Sequence, residues 1–234
     1  MSYLEYAYPK DSYNTNSSGG NGYNTLAPAP TYLVTPTDSA SLDPAEIARR
    51  ILYLKARFFE AKPFLPDHPA VTLVEDFLNH KLIPISVSDK NTITTEGSRY
   101  LSDLRRLPEA QQTLKIIRQS GAALLKGQVF DCSRHLADQS IFQQLLYPAG
   151  FLSDLYNNTT RALLGSFAGK GTVSAVGASY ALVTFTVTNA LTWESLTRCP
   201  PAMAGYSAGN SYVPDVPGWR VNTDFEWREI IKFE

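Results

Sequence analysis

The chain has 234 residues, 44% of them hydrophobic, and is therefore long enough to bury a sizeable core. Its 21 Lys and Arg side chains nearly balance 22 Asp and Glu, which excludes a strong overall field that would recruit nucleic acid or anionic membranes. The sequence contains neither about 18 uninterrupted apolar residues nor the basic and apolar regions of a Sec signal peptide. We therefore expect a soluble protein, whose export would need a specialised secretion or injection system.

The first segment, residues 1–40, is predicted to be a flexible tail. It combines six tyrosines with Asn, Ser, Gly and Pro, and it has neither helical nor strand periodicity. A mobile, disordered tail is the simplest interpretation. The alternative is a docking tail whose tyrosines become ordered on a partner such as a delivery machine. The sequence leaves both interpretations open.

A helical region is predicted over residues 41–165. The run Asp43-Pro44-Ala45-Glu46 supplies an N-cap, a proline at the first helical position and a glutamate at N3, so a helix begins here. The apolar residues that follow recur at spacings of four, three and four: Ile47, Ile51, Leu54 and Phe58. Further helical patterns, separated by prolines, cover about 70–80, 96–107, 109–126, 134–147 and 151–164. Together they predict a helical bundle.

After Gly165 the hydrophobic period changes from helical to two. Val183, Phe185 and Val187 alternate with threonines, and the segment 221–228 alternates apolar and polar residues in the same way. Residues 177–179 offer a turn between two antiparallel strands. Residues 166–234 therefore predict an antiparallel β-sheet packed on the helices, and the fold class is α+β.

The Gly-Lys-Gly-Thr at 169–172 resembles part of a phosphate-binding loop. A P-loop needs a first glycine separated by four residues from its Gly-Lys and a Ser or Thr directly after it, but Leu164 and Gly171 stand at these two positions. The predicted order is also reversed, with a helix before the loop and strands after it. Gly169 and Gly171 instead share a strand face, which predicts close approach of backbone or an aromatic ring.

The histidines and cysteines show no metal-ligand spacing. His68, His80 and His135 are separated by whole helices or proline-rich gaps, so we expect no metal and no cofactor. Cys132 and Cys199 lie far apart, and the sequence favours free thiols without excluding a disulfide. The run 131–135, Asp-Cys-Ser-Arg-His, allows a thiol activated by imidazole, but a helix capped by Asp131 is the favoured interpretation.

The most informative polar stretch is "TWESLTR", residues 192–198. Glu194 and Arg198 either pair with each other or line a pocket with Ser195 and Trp193. In an enzyme, Arg198 would hold an anion and Glu194 would act as base, with Ser195 beside them. Whether the protein is an enzyme is left open by the sequence.

All three tryptophans fall in the C-terminal region, which predicts that its core or its ligand surface is aromatic. A binding module would use this surface to engage a ligand, a lipid surface or a partner chain. Its candidate binding residues are Trp193, Trp219 and Trp227.

Four segments in the last third of the chain carry a resemblance to a known family: "LLGSFAGKGTV" (163–173), "VTFTVTN" (183–189), "TWESLTR" (192–198) and "TDFEWREIIKFE" (223–234). Their order resembles the C-terminal ends of bacterial rearrangement-hotspot-repeat (Rhs-type) polymorphic toxins. The resemblance implies a compact toxin-type domain with a terminal β-sheet, and it assigns no chemistry. We therefore expect a toxin-like effector delivered to a target cell, with an immunity protein as partner. The alternative is a non-enzymatic binding or structural interaction module that uses an aromatic sheet surface.

Overall fold

The computed structural model describes residues 42–90, 94–134, 158–197 and 211–233. Helices come first along these residues, and most of the sheet follows them. The predicted α+β class is therefore confirmed. The predicted tail, residues 1–40, lies outside the described residues.

The first helix, α1, spans Pro44–Ala61 and begins where the sequence predicts. The Asp43 carboxylate accepts a hydrogen bond from the Glu46 N–H at 2.8 Å, and Pro44 occupies the first helical position. Leu54 and Phe58 are fully buried on its inner face. A short 3₁₀ turn, Lys62–Phe64, follows the helix.

The remaining helices are α2 (Pro69–Leu78), α3 (Thr95–Arg105), α4 (Pro108–Ser120), α5 (Thr159–Leu164) and α6 (Trp193–Thr197). The helices predicted at about 70–80 and 96–107 are confirmed. The helix predicted at 109–126 ends early, because Gly121 turns the chain with a φ of 52°, which glycine adopts readily. Most of the segments 134–147 and 151–164 lies outside the described residues. The helices contact the sheet as well as one another, so they form a layer on it rather than a separate bundle.

The sheet has five strands in the described residues: β1 (Ile85–Ser88), β2 (Val129–Asp131), β3 (Ala168–Val176), β4 (Tyr180–Thr192) and β5 (Arg220–Lys232). Their order is β1-β5-β4-β3-β2. The three long strands β3, β4 and β5 are antiparallel, as predicted. The predicted turn at 177–179 lies between β3 and β4. The sheet as a whole is mixed, because β1 pairs with β5 in parallel. The edge strands β1 and β2 were not predicted, because three or four residues are too few to show a period of two.

The inner face of the sheet carries the aromatic core. Phe185 and Trp227 are directly paired across β4 and β5, and their rings stack with centroids 5.0 Å apart. A Cβ added to Gly171 would lie 3.0 Å from Cε1 of Phe185. A Cβ on Gly169 would lie 2.8 Å from the carbonyl oxygen of Cys132. The predicted close approach over both glycines is therefore confirmed.

The favoured interpretation of Asp131 as a helix N-cap is wrong. Asp131 ends strand β2, and its carboxylate accepts a hydrogen bond from the Ser133 N–H at 2.8 Å. The next residues stay extended: Cys132 donates its N–H to the carbonyl of Gly169, and Arg134 forms a β-bridge with Phe167. Pairing with β3 satisfies these backbone groups in place of a helix.

Candidate functional site

The strand-to-helix junction between β4 and α6 holds two of the predicted catalytic residues. The N–H of Ser195 donates to Oγ1 of Thr192 at 3.1 Å, and the N–H of Thr192 donates to Oγ of Ser195 at 2.8 Å. Oγ of Ser195 also donates to the Thr192 carbonyl at 3.0 Å. This reciprocal arrangement is a capping box. The Ser195 hydroxyl therefore holds the turn into α6 and is engaged on both its donor and acceptor sides.

Glu194 is half-buried on α6, next to the buried ring of Trp193. Arg198 lies outside the described residues. Both the pairing of these two side chains and their roles as base and anion-holding group stay predictions.

The three predicted binding tryptophans lie in or beside the core. Trp193 is 0% exposed and Trp227 is 1% exposed, whereas Trp219 is half-buried. Trp193 and Trp219 are brought together, with ring centroids 5.3 Å apart, and both contact the ring of Phe77. Trp227 lies elsewhere, stacked on Phe185. Among the three, Trp219 is thus the ring with the most solvent access.

A buried His–Asp pair joins helices α2, α3 and α5. Nδ1 of His68 accepts a hydrogen bond from the Ala70 N–H at 3.1 Å and so caps α2. Nε2 of the same ring lies 3.4 Å from Oδ2 of Asp103, on α3. Asp103 in turn accepts hydrogen bonds from the Thr160 N–H at 2.9 Å and from Nη2 of Arg106 at 2.7 Å.

Burial lowers the pKa of His68, and this effect outweighs the opposing attraction of the Asp103 carboxylate. A neutral ring with its proton on Nε2 fits the contacts, because Nδ1 must stay unprotonated to accept from Ala70. Nδ1 is thus engaged in the cap of α2, whereas Nε2 faces the Asp103 carboxylate at 3.4 Å without a hydrogen bond within the described residues. The sequence held no signal for the pair, because helix packing alone brings His68 to Asp103.

Cys132 is a buried free thiol. Burial, reinforced by the nearby carboxylates of Asp131 and Glu109, raises its pKa to about 12. The thiol therefore stays protonated at neutral pH, which removes its nucleophilic form. His135 and Cys199 lie outside the described residues, so activation of the Cys132 thiol by the His135 imidazole stays untested.

The outer face of the sheet is mostly polar, in contrast to the aromatic inner face, although Ile230 (72% exposed) and Val129 (58% exposed) also lie on it. We use "outer face" for the exposed or half-buried side chains on this side of the strands. Four threonines lie on it, and one of them belongs to a row of five residues in register across all the strands: Asp131, Lys170, Thr186, Glu226 and Ser88. The threonines are Thr172, Thr184, Thr186 and Thr188. The outer face is therefore a surface of hydroxyls and charges with exposed apolar side chains at Ile230 and Val129.

Charges at the β1 side of the outer face are paired within the chain. Nζ of Lys90 lies 2.6 Å from Oε1 of Glu226. Nε of Arg228 donates to Oδ1 of Asp89 at 3.2 Å, and the backbone N–H of Arg228 donates to Oδ2 at 2.7 Å. These ion pairs fasten the parallel edge strand β1 to β5 and leave both signs of charge on one surface.

Searches of protein-family models, curated proteins and solved structures found no match to this chain. The described residues include no group of three or more His, Cys, Asp or Glu side chains arranged to hold a metal ion. Among the same residues, no helix combines the length and the apolar character that crossing a bilayer requires.

Proposed function

We propose that this chain is a toxin-like effector, delivered to a target cell, that acts by binding a protein partner through the outer face of its sheet. The observation that carries the proposal is the contrast between the two faces of β4 and β5. One face is filled with buried aromatic and aliphatic side chains, and the other presents threonines and charges to its surroundings. An antiparallel sheet that packs on its core with one face can use the other face for recognition.

The effector assignment is supported by the resemblance to Rhs-type toxin ends. Its four segments fall in consecutive elements, from the end of α5 through β3, β4 and α6 to β5. They thus belong to a single packed unit, in which β4 pairs with both β3 and β5. A resemblance carried by one unit of structure supports a shared domain type more strongly than scattered matches would.

A protein is the partner class that the charges favour. Phosphate backbones and anionic lipids are bound by clustered cations, but Lys90 and Arg228 on this side of the molecule are paired with carboxylates. Lys170 lies in register with Asp131 on the neighbouring strand. Hydroxyls interspersed with both signs of charge suit the polar, hydrogen-bonded rim of a protein interface.

A catalytic effector is the second candidate. It is favoured by the half-buried Glu194, which lies on α6 at the end of the long strand β4. In this alternative Glu194 acts as base and Arg198 holds an anionic group of the substrate. Ser195 has a positioning role, because its hydroxyl closes the capping box with Thr192.

The test is growth of bacteria, and separately of yeast, on inducible expression of the full chain. We expect growth arrest that persists in Glu194→Gln and Arg198→Gln and is relieved by the outer-face variant Thr186→Arg. Thr186 is half-buried and faces outward, so the arginine changes the surface while the inner core is kept. Circular dichroism of each purified variant checks that the fold survives.

The opposite pattern would favour the catalytic candidate: arrest lost in Glu194→Gln or Arg198→Gln and kept in Thr186→Arg. Unimpaired growth with abundant folded protein in both hosts would contradict the effector assignment. It would favour the interaction module without toxicity, and the outer face would then be used to capture its partner.

A further inference from the structure

Helix α1 carries an apolar stripe on its outward face. Leu52 is 66% exposed and Phe59 is 38% exposed, although the inner face of the same helix already packs Leu54 and Phe58 into the core. Three exposed alanines, Ala45, Ala48 and Ala56, continue the stripe at spacings of three and four residues. A helix that packs on a domain with one face is expected to be polar on the other. The stripe therefore points to a second packing partner.

The side chains along the stripe grow in size from one end to the other. The N-terminal half offers the small residues Ala45 and Ala48, and the C-terminal half offers Phe59, with Phe64 just beyond the helix. If two copies of α1 pack in parallel, Phe59 meets Phe59 of the second copy and the alanines leave a gap. If they pack antiparallel, bulky residues meet small ones along the whole contact.

Charges beside the stripe favour the same antiparallel arrangement. Arg49 and Glu60 are both exposed and lie eleven residues apart, roughly three helical turns, so they flank the stripe on the same side. In an antiparallel pair centred between Leu52 and Ala56, Arg49 of one copy lies beside Glu60 of the second copy. By symmetry, Glu60 of the first copy lies beside Arg49 of the second. Within its own chain Arg49 contacts Glu46, and Glu60 lies 2.6 Å from Arg57.

We propose that two copies of this chain associate through the stripe on α1 as a symmetric antiparallel dimer. The contact is isologous, so it closes after two copies and cannot extend into a filament. One face of an 18-residue helix is small for a stable dimer, so we expect a reversible association with a dissociation constant of roughly micromolar order.

The test is sedimentation velocity of the full chain at rising concentration. We expect the wild-type chain to shift from monomer to dimer over about 1 to 200 µM and Leu52→Glu to remain monomeric. Leu125→Glu is the matched control, because Leu125 is 71% exposed but lies outside α1. This control is expected to dimerise like the wild-type chain.

A charge exchange tests the antiparallel arrangement. Arg49→Glu and Glu60→Arg alone are each expected to weaken the dimer several-fold, and the double variant is expected to recover it. Thermal unfolding followed by circular dichroism verifies that each variant is folded. A full chain that stays monomeric at every concentration overturns the proposal, as does a dimer that survives Leu52→Glu. A double variant weaker than either single variant overturns the antiparallel geometry.

Discussion

Nε2 of His68 lies 3.4 Å from Oδ2 of Asp103 inside the junction of α2, α3 and α5. The other ring nitrogen caps α2 through the Ala70 N–H, so a single side chain links the start of α2 to the last turn of α3. Protonation of Nδ1 would remove the acceptor that the cap requires. The junction is therefore sensitive to pH.

We expect stability to fall as the pH is lowered through the range in which His68 titrates. The pKa of His68 is lowered from its usual 6.5, so below that pH the unfolded chain binds a proton that the folded chain does not. Stability from this group is thus fully present above about pH 6.5 and is lost as the pH falls toward the folded-state pKa. Urea unfolding at a series of pH values between 8 and 5 measures the slope.

The matched variant for this experiment is His68→Asn. Asparagine also caps helices well, but it carries no titratable group. Its stability is expected to change less with pH than that of the wild-type chain over the same range, since the other histidines are present in both proteins. Equal slopes would show that His68 does not cause the acid sensitivity.

A side chain at Gly171 is predicted to destabilise the core. A Cβ at this position would approach Phe185 Cε1 to 3.0 Å and Thr113 Cγ2 to 3.3 Å. Phe185 has little room to retreat, because its ring stacks on Trp227. We expect Gly171→Ala to destabilise the fold by about 1 to 3 kcal/mol in urea unfolding. The exposed neighbour Lys170, changed to Ala, is the control and is expected to have little effect; equal losses in the two variants would argue against the steric explanation.

Arg50 is predicted to stabilise the contact between α1 and the segment 211–213. It is 4% exposed, donates from Nη1 to the Tyr212 carbonyl at 2.8 Å, and places its guanidinium carbon 4.6 Å from the centroid of the Tyr212 ring. Lysine lacks the planar fork that makes both contacts at once. We expect Arg50→Lys to cost about 1 to 3 kcal/mol of unfolding free energy.

Hydrogen exchange measures which part of the structure Arg50→Lys destabilises. Faster exchange in Arg50→Lys should be concentrated in residues 211–213, and the paired strands β3 to β5 should be unaffected. Uniformly faster exchange over the whole chain would show that Arg50 acts through global stability instead.

The Cys132 thiol is predicted to be unreactive in the folded protein. Burial raises its pKa to about 12, so at pH 8 almost none of it is thiolate. In the variant Cys199→Ser, which leaves Cys132 as the single cysteine, we expect negligible labelling by iodoacetamide under native conditions and complete labelling in denaturant. Rapid labelling of the folded variant would contradict the burial of this thiol.

Sequence periodicity and capping predicted the elements that are long enough to show them. The start of α1 follows from Asp43, Pro44 and Glu46, and the long strands β4 and β5 follow from their alternation of apolar and polar residues. The short strand β2 had no such signal, and Asp131 was wrongly assigned to a helix start because an aspartate accepts local N–H bonds in either setting.

The roles of the candidate site residues depended on tertiary contacts to a much greater extent than the helices and strands did. From the sequence, Trp193 and Trp227 were equally suited to a core and to a binding surface, and the packing of α2 and β4 places them in the core. The hydroxyl of Ser195 has the chemistry of a catalytic group, but its hydrogen bonds with Thr192 make it a capping residue.

The sequence by itself determined which residues form the helices and long strands, because those choices depend on neighbours within a few positions along the chain. Only the tertiary structure decided that His68 meets Asp103 and that β1 joins β5 in parallel. Each of these contacts joins residues distant in the sequence, and the packing of the complete core selects them.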